Sequence, residues 1–184
     1  MEKKKNKISL AIMVRAGFLV AISIVMTRFA YVMLPVAGVG ALRISFGEVP
    51  LMISGVMFGP MVGALTGIAA DLIGFLINPQ GPYYPGFTLS SALWGIIPGL
   101  FVIYFKSRKN DENIYSFNKM LIIAFVTTII VSVLLNTLWL SQLFGRGFMV
   151  LLPTRLIASI INIPIYAFVI SYLMKYLKQF ANLD

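Results

Sequence analysis

The sequence predicts an all-α integral membrane protein, a six-transmembrane-helix bundle in a single membrane domain, with both termini cytoplasmic. Three observations carry this. Of 184 residues, 59% are hydrophobic and only 11% are charged, with a mean hydropathy of +0.92. A soluble domain carries about 25% charged residues, so the implied solvent is lipid. The basic residues cluster in three places: Lys3, Lys4, Lys5, Lys7 and Arg15 at the start, Lys106, Arg108, Lys109 and Lys119 in the middle, and Lys175 and Lys178 at the end. Placing all three clusters in the cytoplasm satisfies the positive-inside rule and gives each half of the chain an even number of crossings. The third observation is a deficit: there is no cysteine and no histidine. Disulfides are excluded, and the commonest metal ligand and general base are missing. No catalytic group, metal or cofactor is expected. The net charge of +9 is topological and does not form the basic, aromatic-studded soluble face that nucleic acid requires.

The apolar run Ile8–Leu34 exceeds the h-region of a signal peptide and reads as a retained first helix, 8–34. An external segment follows at 35–47, broken by Pro35, Gly38, Gly40 and Gly47. The second helix, 48–58, is only about 16 Å long, too short for a hydrocarbon core of about 30 Å. The preceding segment is therefore expected to dip below the outer surface, where irregular backbone must line a cavity or lie within protein. Gly59-Pro60 is a tight cytoplasmic turn into the third helix, 61–77. The external loop 78–87 reads NPQGPYYPGF, whose prolines and glycines forbid a regular helix. A fourth helix, 88–105, leads to the cytoplasmic loop 106–118. The fifth, 119–140, leads to the external loop 141–151, and the sixth is 152–176.

Charges inside membrane spans are expensive and mark function. On this topology Arg28, Arg43, Glu48, Asp71, Arg146 and Arg155 lie in the outer half. Asp71 sits about 10 Å below Asn78, Trp94 lies at similar depth on the fourth helix, and Asn136 lies one turn below the outer end of the fifth. Arg155 and Asn162 share a face of the sixth helix, two turns apart. Polar groups from several helices thus converge on one outward-facing zone, the sequence image of a ligand pocket. The excess of arginine over carboxylate suits an anionic ligand. Tyr83, Tyr84, Phe87 and Trp94 suit a flat ring, and Asp71, Asn136 or Asn162 can read ring donors. Small residues on the first helix (Ala11, Ala16, Gly17, Ala21) and on the third (Gly63, Ala64, Gly67, Ala69, Ala70, Gly74) permit close helix approach, either within the chain or, for Ala11, Gly17 and Ala21, to a partner subunit.

The run Leu42–Leu100 resembles the S components of energy-coupling factor (ECF) vitamin transporters, most like the folate-specific type. The matching pieces are Arg43-Ile44 with Phe46-Gly47 and Pro50, then Phe58-Gly59-Pro60, Gly67, Asp71-Leu72-Ile73-Gly74, Pro79, Gly81 and Tyr84-Pro85-Gly86-Phe87-Thr88. Val20–Phe29 also looks like that family's first helix. The resemblance implies a six-helix substrate-binding subunit of the bacterial cell membrane with an outward-facing vitamin site. It further implies docking, through small residues on the first helix, to a membrane coupling subunit that works with two cytoplasmic ATPase subunits. The S component is thought to topple in the membrane to release its substrate inward. The expected ligand is folate, its carboxylates near Arg43, Arg28 or Arg155, its rings against Tyr83, Tyr84, Phe87 and Trp94, its pterin near Asp71, Asn136 or Asn162. An S component for pantothenate or riboflavin is the nearest alternative. A membrane-embedded enzyme would need a metal cluster or a nucleophile–base pair, for which this sequence offers few groups.

Overall fold

The structure, a computed structural model, describes residues 9–36, 40–107 and 114–181, with side chains over those residues except 32–44 and 178–181. The N-terminal lysines, Arg108 and Lys109 lie outside the described residues, as does the side chain of Arg43.

Ser9 caps the first helix, α1 (Leu10–Arg28), its hydroxyl accepting from the backbone N–H of Ile12. The helix stops at Arg28 and not at Leu34. An apolar run is compatible with strand as well as helix, and here Tyr31, Val32 and Pro35 favour extended backbone. Two strands, β1 (Tyr31–Val36) and β2 (Gly40–Ser45), form an antiparallel hairpin that pairs Tyr31 with Ser45 and Met33 with Arg43. The spanning elements are all helical, but the segment expected to be irregular is this hairpin.

The short helix α2 (Glu48–Phe58) follows, then α3 (Pro60–Ile77), with Gly59 at φ 89° making the turn between them. Helix α4 (Pro85–Ser107) begins three residues before the expected Thr88, because Pro85 is well suited to a first helical turn. It therefore carries Phe87 on its first turn. Helix α5 (Phe117–Phe144) is continuous but contains a π-helical stretch, Thr128–Leu135. No glycine or proline in that stretch announces it. Helix α6 (Phe148–Ala181) extends beyond the expected 152–176 at both ends and absorbs Pro153 and Pro164. Five helices, α1, α3, α4, α5 and α6, are long and apolar enough to cross a membrane, and α2 is shorter.

Two packing regimes divide the bundle. At the end away from the hairpin, Met52, Val56, Val102, Met120, Ile123, Ala167, Ile170 and Met174 make a closed apolar core. Between α2, α3 and α4 the contact is backbone to backbone. A Cβ on Gly63 would sit 2.7 Å from the Gly95 carbonyl oxygen, and one on Gly99 would sit 2.6 Å from the Pro60 nitrogen. Gly55, Gly67 and Gly95 are equally closed in by neighbouring backbone. The small residues of the third helix are thus consumed by packing inside the chain. Those of the first are not: Ala11, Gly17 and Ala21 are all exposed, and a Cβ on Gly17 would meet nothing within 4 Å.

Replacing Gly95 by valine is expected to lower stability by on the order of 3 kcal/mol, read as a clear fall in the unfolding midpoint in detergent. Gly17→Ala is expected to change it by less than about 0.5 kcal/mol. Equal effects would contradict the packing described.

Candidate functional site

At the hairpin end the six helices do not close, and a cavity of about 310 Å³ remains. Every helix contributes to its wall, as do β2 and the loop before α4. The cavity follows from the lengths of the elements. Helix α2 is too short to run the length of α6, and β2 of the hairpin packs against α6 as well. The hydroxyl of Tyr166 on α6 anchors this junction, 2.9 Å from the carbonyl oxygen of Ser45 and 3.1 Å from Oε2 of Glu48. Ser23 on α1 donates to the carbonyl of Gly47 at 2.7 Å. A strand end and a helix start are thereby fixed deep in the bundle.

Most of the residues singled out from sequence meet here. Arg28, Asp71, Tyr83, Tyr84, Phe87, Trp94, Asn136, Arg155 and Asn162 all line the cavity. Arg28 Nη2 lies 3.7 Å from Asp71 Oδ1, with both side chains largely buried. Thr88 donates to Asp71 Oδ2 at 2.7 Å, and the hydroxyls of Tyr83 and Thr88 are 3.0 Å apart. Arg28 also donates to the carbonyl of Asn78 while the Asn78 amide donates back to the carbonyl of Arg28, both at 3.3 Å. Asp71 is therefore first a joint between α1, α3 and α4. Each of its two oxygens already holds one partner.

The aromatic residues divide by depth. Tyr83 is 44% exposed and packs edge-on against Phe75. Tyr84 packs on Trp139 and Phe87 and donates to Gln142, tying the loop to α5. Trp139 in turn donates from Nε1 to Ser90 on α4 at 3.1 Å. Trp94 is buried to 4% exposure and meets Tyr166 edge to face at 6.0 Å. Along α6, Arg155, Asn162 and Tyr166 stand about 10, 21 and 27 Å from the start of the helix, at roughly 1.5 Å per residue. Arg155 is thus nearer the mouth and Tyr166 at the floor.

Two of these groups are unusual. Asn136 Oδ1 and Asn162 Oδ1 are buried and have no hydrogen-bond partner, and the same holds for Thr128 Oγ1. All three face the cavity. Buried polar atoms are nearly always paired, because each unmet one costs about 1–3 kcal/mol. The π stretch supplies part of this set: its i→i+5 bonding widens the helix where Thr128, Ser132 and Asn136 line the wall.

Several lining groups escaped the reading from sequence. Ser23, Ser45, Ser90 and Ser132 are small hydroxyls in apolar runs, where nothing separates a lining residue from a backbone-bonded one. Tyr166 looked like one more apolar aromatic in a long helix. Glu48 was placed in the outer half without a role, although a carboxylate at the start of a short helix was the available signal.

The family model described as ECF-type riboflavin transporter, S component, matches residues 7–179. The chain is 36% identical over 159 residues to the folate transporter FolT of Clostridium novyi (strain NT), covering 86% of this chain and 85% of that protein. To the folate transporter FolT of Leuconostoc mesenteroides subsp. mesenteroides it is 24% identical over 164 residues, covering 86% and 82%. A crystal structure of FolT bound with folic acid superposes with a TM-score of 0.70 at 29% identity, over 90% of this chain and 94% of that one. The S component of a bacterial ECF transporter superposes with a TM-score of 0.65 at 23% identity, over 94% and 98%, a likeness of fold. With a matching family model across nearly its whole length, the chain is a multi-pass membrane protein that belongs to the S-component family of ECF transporters, a transport subunit and not an enzyme.

Proposed function

We propose that this chain is the high-affinity folate-binding subunit of an ATP-driven ECF uptake transporter in the bacterial cell membrane. The observation that carries it is the pair of buried, unpartnered amide oxygens, Asn136 and Asn162, on the wall of a cavity that also carries arginine and aromatic side chains. Folate has the matching groups: a donor-bearing pterin, an aromatic middle and a glutamate tail. The pterin goes inward against Trp94, Asn136 and Asn162. The middle ring lies among Tyr83, Tyr84 and Phe87, and the carboxylates meet Arg155, with Arg28 and Arg43 as further cations of the same zone. The names of the relatives favour the same ligand. Riboflavin is the second reading, favoured by the description of the family model.

In this reading α2 completes six crossings, the hairpin end faces outward and both termini lie inside. The chain carries no Gly-rich phosphate loop, so ATP hydrolysis falls to two cytoplasmic ATPase subunits acting through a membrane coupling subunit. The exposed face of α1 bearing Ala11, Gly17 and Ala21 is the docking surface for that subunit, since small residues let another helix come close. Reorientation on the coupling subunit then turns the cavity inward.

Calorimetric titration of the detergent-purified chain decides the ligand. Folic acid should bind, with riboflavin, pantothenate and thiamine at least ~100-fold weaker, a gap of about 2.7 kcal/mol. Riboflavin binding in place of folic acid would keep the fold and retract the substrate. Arg155→Ala should weaken folic acid ~10- to 100-fold, the range for a lost charge-assisted hydrogen bond. If Arg43→Ala and Arg155→Ala both bind normally, the carboxylate assignment is wrong.

Asn162→Leu should separate binding from stability. Without ligand it should unfold at the same temperature or higher, by about 1 kcal/mol, because an unmet buried acceptor is removed. Its folic acid affinity should fall. A fall in unliganded stability instead would make Asn162 a packing residue. Gly17→Leu together with Ala21→Leu should leave folic acid binding unchanged but abolish uptake and co-purification with the coupling subunit. Normal uptake by that variant would move the docking face elsewhere.

A further inference from the structure

The C-terminal part of α6 carries a surface that neither the cavity nor the core uses. The helix has 34 residues, about 51 Å at 1.5 Å each, against a hydrocarbon core of about 30 Å. Its end away from the hairpin carries Lys175 and Lys178, and that charge places the end among lipid headgroups. Phe168, Tyr172 and Tyr176 stand four residues apart on one face, 61%, 53% and 54% exposed. The rings of Phe168 and Tyr172 stack, with centroids 6.1 Å apart and planes 16° from parallel. Tyr176 meets Tyr172 edge to face at 5.3 Å. Lys175, also exposed, follows Tyr172 by three residues and shares its face.

Another helix or a lipid can cover such a face, and the side chains decide between them. Close approach of a helix requires small residues, as on α1, where a Cβ on Gly17 would meet nothing within 4 Å. The α6 face has the opposite character. Its interlocked rings hold a neighbouring backbone away, while a flexible acyl chain conforms to them. Ile161 and Ile157 continue the face toward the middle of the helix, 39% and 43% exposed. From Tyr172 to Ile157 it runs about 22 Å, more than the roughly 15 Å of hydrocarbon in one leaflet. At the other end the face turns polar, with two phenolic hydroxyls and one ammonium. Among the described residues the carboxylates are Glu48 and Asp71, and both line the cavity. No described carboxylate therefore answers the Lys175 charge.

We propose that this face of α6 binds an anionic phospholipid, with the headgroup phosphate on the Tyr172 and Tyr176 hydroxyls and the Lys175 ammonium, and one acyl chain along Phe168, Ile161 and Ile157. The polar groups divide the work. A phosphate oxygen accepts from a phenolic hydroxyl whatever else the headgroup carries, so the tyrosines serve any phospholipid. Lys175 adds a preference for net negative charge, an attraction that salt screens. In the orientation proposed above, the lipid comes from the cytoplasmic leaflet. The face lies at the opposite end of the bundle from the cavity, so the proposal stands independently of which vitamin the cavity holds.

The test is native mass spectrometry of the full chain released from micelles that hold phosphatidylglycerol and phosphatidylcholine in equal amounts, with the same acyl chains. The unsubstituted protein should retain phosphatidylglycerol ~5-fold more, the order expected of one basic residue at a headgroup. Lys175→Gln should remove that preference. Lys106→Gln, which takes an exposed lysine from the end of α4, should leave it unchanged. Tyr172→Phe together with Tyr176→Phe should lower retention of both lipids and keep the preference. Equal retention of the two lipids by the unsubstituted protein would overturn the proposal with no variant needed. An equal loss of preference in Lys175→Gln and Lys106→Gln would also overturn it, because lipid would then respond to net charge and not to this face. If the substituted chains keep their lipids but no longer co-purify with the coupling subunit, the face is a protein interface and the proposal fails.

Discussion

The close backbone contact of α2, α3 and α4 is the constraint on which the rest of the structure depends. In lipid, burying apolar side chains between helices gains little over leaving them against acyl chains. Helices associate instead where their backbones approach and dispersion contacts multiply. Gly55, Gly63, Gly67, Gly95 and Gly99 permit that approach, with no room for a side chain at the contacts. Three helices become one slab, and α1, α5 and α6 pack around it. At the hairpin end, α5 and α6 continue past the start of α2, and the hairpin only partly fills the gap. The cavity is the space left by this mismatch of lengths.

The polar groups inside the bundle fall into two kinds. Arg28, Asp71, Thr88, Tyr83 and Asn78 bond to one another and to backbone, joining α1, α3, α4 and the loop between α3 and α4. Such groups stabilise the mouth of the cavity, because charge in a low-dielectric setting is tolerated when paired. Asn136, Asn162 and Thr128 are the opposite kind, with atoms that meet nothing. An unpaired buried acceptor lowers stability, and a group that enters the cavity and donates to it offsets the loss. The contrast separates groups already paired within the chain from groups left unmet, although both kinds line the cavity. Tyr166 bridges the two, holding Glu48 and Ser45 where hairpin, α2 and α6 meet.

Much of this was legible in the sequence. The convergence of Asp71, Trp94, Asn136, Arg155 and Asn162 followed from helix pitch and topology, because rise per residue turns spacing into depth. The role of Asp71 did not follow: spacing puts it at the right depth but does not say that Thr88 and Arg28 already hold it. Tyr31–Leu34 read as helix because an apolar run lacks the period that distinguishes strand from helix. The π stretch left no trace, since its wider turn is not encoded by any one residue type. Nor did sequence separate the small residues of α1 from those of α3, which differ in neighbours and not in kind.

By itself, then, the sequence determined that the chain lives in lipid, roughly where its helices run, and which polar residues share one zone of depth. These are properties of single residues and of fixed helical rise, so they survive without knowledge of contacts. The tertiary structure decided which polar groups are paired and which are left unmet, where α1 gives way to a hairpin, and that Glu48 faces the cavity floor. Those outcomes depend on distances between atoms remote in the chain, such as the Tyr166 hydroxyl and the Glu48 carboxylate. Only packing brings them within hydrogen-bonding range.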